Sequence, residues 1–143
     1  MADAIHYETF KSGSKTYFNS SVFFPRDVRE DVFVLYGFVR VADNYVDQVP
    51  QDAEGFYEFR RAYHRALEGT PSGQVIIDSY VELAERHNFP DSWTDAFLHS
   101  MEMDLVKQQH RTLRESLEYI YGSAEVIGLF MAKLMDLPDA AYP

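Results

Sequence analysis

The chain has 143 residues, long enough for one domain with a real core and short for two. Hydrophobic residues make up 46% and aromatics 15%, which excludes a disordered chain, and the absence of cysteine excludes disulfides and thiolate metal sites. The net charge of −10, from 13 basic and 23 acidic residues, argues against nonspecific nucleic-acid binding, which needs a basic footprint. It leaves room for a phosphorylated ligand, because divalent cations can sit between carboxylates and phosphates.

The N-terminal MADAIHYETFKSG lacks a basic-then-apolar leader pattern, and no apolar run reaches the ~18 residues of a membrane span. The expectation is a cytoplasmic protein. Helical periodicity then runs almost throughout. A first helix is predicted over Lys15 to Phe23. Pro25 suits the first turn of a second, which runs to about Val46. Pro50 and Asp52 separate it from a third, Asp52 to Leu67, closed by Gly69 and Pro71. Gln74 to Arg86 is the fourth. Asp91 or Ser92 caps the fifth, which reaches about Gln109. Thr112 and Glu115 form a capping box for the sixth, Leu113 to Met135. Strand-like alternation is missing at useful length, so the fold class is all-α: a bundle of about six helices with short loops, forming one domain over residues 1–143.

The sixth helix carries Ile120, Ile127, Leu129, Phe130, Met131 and Leu134, and this much apolar surface predicts burial on most sides. The chain ends soon after, at Asp139-Ala140-Ala141-Tyr142-Pro143. The expectation is that part of the bundle lies outside this sequence or comes from another chain.

Chemistry concentrates in DVFVLYGFVRVADNYVD, Asp31 to Asp47. Tyr36, Arg40, Asp43 and Asp47 are spaced 4, 3 and 4 apart and form one helical stripe beside the apolar stripe of Leu35, Val39, Ala42 and Val46. A charge buried without a partner costs several kcal/mol, so the stripe is expected to face a wet cavity. Two carboxylates one turn apart can hold Mg²⁺, which takes oxygen ligands and bridges carboxylates to phosphates. Arg40 could then meet a phosphate oxygen. The same spacing fits equally an Arg40–Asp43 or Arg40–Asp47 ion pair on a solvated face.

The surrounding blocks add to this stripe. SKTYFNSSVFFP, LYGFVRVADNYVD, MEMDL and YIYGSAEVIGLFM, in that order, resemble the squalene/phytoene synthase family, most of all the phytoene synthases, from Ser14 to Met135. The resemblance implies an all-α isoprenoid synthase bundle. It implies an enzyme that condenses two prenyl diphosphates head to head, with geranylgeranyl diphosphate as expected substrate and Mg²⁺ as cofactor. By motif, Asp43 and Asp47 match the ends of the first aspartate-rich motif, which binds Mg²⁺ and diphosphate. Arg40 matches the arginine three residues before it, a diphosphate contact. Ser14, Lys15 and Thr16 match the hydroxyl-rich segment near the diphosphate, and Tyr36 joins them as a substrate-binding candidate. Tyr121 matches a tyrosine lining the reaction cavity. An apolar product implies peripheral membrane contact.

Phe23, Phe38, Tyr121, Phe130 and Met131 are candidate cavity walls, with ordinary core packing as the alternative for each. Asp104 of MEMDL either faces the cavity or serves as a surface or cap residue. Lys107 could meet a phosphate or be solvated. Gly122, Ser123, Ala124 and Gly128 leave room for a prenyl tail or for close helix packing. His6, His64, His87, His99 and His110 show no metal spacing and are read as surface residues.

The chain also departs from the family. Glu125 stands where a glycine is usual, and Gln109 and His110 replace an arginine–tyrosine pair. The second aspartate-rich motif does not follow Tyr121. Three readings compete. One is a phytoene synthase-like prenyltransferase seen by its N-terminal half and inactive without a segment or partner chain that carries the second motif. Another is a catalytically silent relative acting as a helical binding or assembly module. The last, a metal-dependent pyrophosphohydrolase, lacks the acidic pairs on several helices that such enzymes need. The first is favoured.

Overall fold

The computed structural model describes residues 26–106 and 112–135, and among these every regular element is helical. The expected helix over Lys15 to Phe23 lies outside them. α1 spans Arg26–Asp47, α2 Ala53–Leu67, α3 Val75–His87 and α4 Asp91–Val106. α5 covers Leu113–Ile120, a π-helical turn Tyr121–Glu125, and α6 Val126–Leu134.

Local chemistry sets the boundaries. The Asp52 carboxylate accepts from the Gly55 N–H at 2.9 Å and starts α2. Gly69, at φ 111°, lets the chain leave it. α3 ends on Asn88 in the left-handed region, φ 54°, with the Phe89 N–H returning to the Ala84 carbonyl at 2.9 Å. The expected capping box is present: the Thr112 hydroxyl accepts from the Glu115 N–H at 3.1 Å, and the Glu115 carboxylate accepts from the Thr112 N–H at 3.2 Å.

α1 runs through the middle of the bundle and packs on α2, α3, α4 and α6. That explains its nearly continuous apolar surface. Its Phe38 is 1% exposed and stacks on Tyr80 of α3, ring centres 3.9 Å apart, with Phe59, Tyr63 and Phe97 around it. Phe130 of α6 meets the edge of Tyr80 and also touches Phe89 and Trp93. Phe38 and Phe130 are therefore ring-packed core residues. The Tyr80 hydroxyl finds a partner in buried Thr94 Oγ1 at 2.6 Å.

The long C-terminal helix is not buried on most sides, as its composition suggested. Burial begins at Gly122 and continues through Val126, Leu129, Phe130 and Leu134. Leu113, Leu117 and Ile120 on α5 are exposed, although the helix is strongly amphipathic.

The π-helical turn lies where this helix crosses α4. A Cβ on Gly122 would collide with Ser100 Oγ and the Ala96 carbonyl oxygen, so only glycine allows the approach. The Tyr119 carbonyl, just before the turn, accepts hydroxyls from Ser123 at 2.6 Å and Ser100 at 3.2 Å. A widened turn leaves main-chain carbonyls in need of such partners. Of the small residues here, Gly122 serves close helix packing, whereas Gly128 faces open space.

Candidate functional site

The C-terminal ends of α1 and α4 come together. Both are negative dipole ends, and neither has a basic residue in its last turn. Asp43 and Asp47 lie on the last turns of α1, and Asp104 lies on the last turn of α4. Arg40 stands one turn before Asp43, with guanidinium and carboxylate 3.7 Å apart. The pair is half-exposed, at 36% and 31%. The expected stripe therefore exists, and the Arg40–Asp43 ion pair exists with it. Tyr36 is half-buried on the same helix.

The electrostatics are unbalanced. The Asp43 carboxyl is pushed up to about 6. Burial is the main cause, followed by the hydrogen bond and charge of Asp47; Arg40 pulls the other way, and the Asp104 charge adds to the rise. Among the described residues, three carboxylates at two helix C-termini thus outweigh one guanidinium.

The donor set suits a hard cation that keeps part of its shell. Asp43 and Asp47 offer oxygens one turn apart, and Mg²⁺ is commonly held by one or two carboxylates plus water and phosphate. Among the described residues no group of three or more carboxylate or histidine side chains is arranged to hold a metal ion. The remaining ligands would have to be phosphate oxygens, water or groups outside the described residues.

Asp104 resolves toward the site. It is half-buried, and its Oδ2 accepts from the Tyr119 hydroxyl at 3.0 Å. Tyr119 was not singled out by sequence reasoning; its spacing of 15 from Asp104 across a helix break hides the pairing. Gln51 was also missed. Its side-chain amide donates to the Val46 carbonyl at 2.8 Å and to the Asp104 carbonyl at 3.0 Å.

Tyr121 is 37% exposed and lines an open surface groove with Ala96, His99, Leu117 and Glu118. Glu125 is exposed, so it does not recharge the interior. Met131 is half-buried against the core. His64 and His99 are exposed as expected, whereas His87 is partly buried and meets Asp31 at 2.9 Å. Ser14, Lys15, Thr16, Phe23, Lys107, Gln109, His6 and His110 lie outside the described residues. No helix among the described residues is long and apolar enough to cross a membrane.

Comparison with known proteins supplies the context. The squalene/phytoene synthase family model matches residues 10–142. The 15-cis-phytoene synthase of Paracoccus sp. (strain N81106 / MBIC 01143) is 28% identical over 92% of this chain and 46% of its own length. That of Pantoea ananas is 27% identical over 94% and 47%. The 4,4'-diapophytoene synthase of Staphylococcus haemolyticus is 22% identical over 95% and 50%. No solved structure gives a significant match. The chain spans about half the length of the curated relatives it matches. With a family match over almost its whole length and an all-helical fold, the chain belongs to the squalene/phytoene synthase family.

Proposed function

We propose that this chain supplies the first diphosphate- and cation-binding face of a phytoene synthase-type prenyltransferase. Its substrates would be prenyl diphosphates, with geranylgeranyl diphosphate the expected donor and acceptor, joined head to head. The observation that carries this reading is the alignment of Arg40, Asp43 and Asp47 along the last turns of α1, with Asp104 of α4 acting on the same carboxylates.

Family members ionise an allylic diphosphate, so negative charge grows on the leaving group. Mg²⁺, when bound, supplies positive charge to that leaving group and lowers the cost of its departure. Asp43 and Asp47 would hold the cation by their carboxylate oxygens. Arg40 is placed to exchange its Asp43 contact for a diphosphate oxygen, since guanidinium pairs well with phosphate. Tyr36, one turn before Arg40, would border the same anion. Ser14, Lys15 and Thr16 are proposed from the motif match to join it, and Tyr121 to face the prenyl chains. A second aspartate-rich motif, on a further segment or a partner chain, would complete the cation cluster, and the product's apolarity favours peripheral membrane contact.

The experiment is pyrophosphate release from geranylgeranyl diphosphate, with and without Mg²⁺, by the protein together with the segment or chain that carries the second aspartate-rich motif. Asp43→Asn and Asp47→Asn should each lower the Mg²⁺-dependent rate by about 100-fold or more, the scale of losing a transition-state charge contact, with helical circular dichroism unchanged. Wild-type rates in both variants would remove the site assignment.

A second reading, a catalytically silent binding module, draws on the lack of a three-ligand metal group among the described residues. It predicts prenyl diphosphate binding without turnover in the same assay.

A further inference from the structure

Gln51 lies in the short α1–α2 connection and belongs to none of the family-like blocks. Yet its one amide group bridges two helices. Val46 is in the last turn of α1 and Asp104 in the last turn of α4, so the amide ties one helix end to the other. A primary amide carries two N–H groups, and Gln51 spends one on each, at 2.8 and 3.0 Å. The orientation of the amide follows from chemistry, because only its nitrogen can satisfy two carbonyl oxygens. The next residue adds a third tie: the Asp52 N–H donates to the Tyr45 carbonyl at 2.8 Å.

We propose that Gln51 is a positioning residue that fixes the turn carrying Asp43 and Asp47 against the turn carrying Asp104, and so sets the geometry of the cation–diphosphate site. This rests on the reading of that site given above. Three carboxylates repel one another, and without a tie the two helix ends would relax apart. Gln51 offsets that tendency with neutral donors, adding no charge to compete with the cation. Supporting groups of this kind typically change metal affinity by about 10–100-fold when removed.

Alanine removes both donors. Glutamate keeps the size of the side chain and faces both carbonyls with an acceptor. The test titrates the protein with inorganic pyrophosphate in excess Mg²⁺ by calorimetry, and records the melting temperature of each variant. Asp43→Asn reports on the site itself. Arg86→Ala loosens α1 at its opposite end and serves as the control for lost stability alone. The expected result is binding by wild-type protein, none by Asp43→Asn, and about 10-fold or greater weakening by Gln51→Ala and Gln51→Glu, with Arg86→Ala at wild-type strength. Gln51 variants that bind like wild type, or no worse than Arg86→Ala, overturn the positioning role and leave the site reading standing. Absence of binding by wild-type protein overturns the site reading and this proposal together.

Discussion

Asp43 lies 3.7 Å from the Arg40 guanidinium, yet its carboxyl is pushed up to about 6 rather than down. Burial and the neighbouring Asp47 outweigh the arginine. The folded protein therefore holds the Asp43 proton more tightly than the unfolded chain, whose value is near 3.8. Stability must fall as pH rises from about 4 to about 6 and stay lower above that. Asp43→Asn removes the repulsion. In metal-free protein at pH 7 to 8 it should raise stability by about 1–2 kcal/mol, discounted for partial exposure, and below pH 4 the gain should vanish. Thermal unfolding in EDTA across that range checks it; a variant less stable than wild type at pH 8 would contradict the charge imbalance.

Gly122 and Gly128 stand six residues apart on one continuous helical stretch, and their environments differ. A methyl group at Gly122 runs into Ser100 Oγ and the Ala96 backbone oxygen. A methyl at Gly128 meets nothing within 4 Å. Gly122→Ala should cost about 2–3 kcal/mol as α4 is forced off the π-helical turn. Gly128→Ala should gain about 0.5–1 kcal/mol from helix propensity. Urea unfolding of both variants would show opposite shifts in midpoint.

The helices of the described residues and the Arg40–Asp43–Asp47 stripe are legible in the sequence because both depend on spacing along one element. The Thr112–Glu115 capping box and the break around Pro50 are legible for the same reason. Asp104 was ambiguous, since its place beside Asp43 depends on how α4 meets α1. Gln51 and Tyr119 were missed because each acts across 53 or 15 residues through a single hydrogen bond, and no local pattern encodes that. Apolarity alone led to an overestimate of the burial of the last helix. Leu113, Leu117 and Ile120 mark an amphipathic face, but the pattern does not say whether anything lies against it.

Phe38 was a candidate for the wall of a prenyl tunnel, and its packing argues for the core instead. Its ring stacks on Tyr80 and touches Phe59, Tyr63 and Phe97. Phe38→Ala should cost about 3–5 kcal/mol, and Phe38→Leu, closer in volume, clearly less. If Phe38 lined a tunnel, Phe38→Leu would change the preferred prenyl chain length at unaltered stability. A comparison of melting temperature with product length separates the two.

Asp31 anchors the other end of α1. Its carboxylate accepts from Arg86 at 3.0 and 3.1 Å and from His87 at 2.9 Å, so α1 is clasped to the end of α3. Burial on its own would push the carboxyl up, but the hydrogen bonds from Arg86 and His87, with their charges, hold it below its ordinary value. The sign is opposite to that of Asp43. The clasp stabilises the fold fully above the unfolded-state value of about 4, and this contribution is lost as pH falls through the lower folded value. Asp31→Asn should cost about 1–3 kcal/mol at pH 7. It should also flatten the acid limb of the stability profile, because a group that no longer titrates has no proton to take up. Removing Arg86 instead should leave the His87 contact and a smaller loss. Parallel pH titrations of the melting temperature for wild type, Asp31→Asn and Arg86→Ala would test this ordering; equal losses in the two variants would mean that His87 contributes nothing to the clasp.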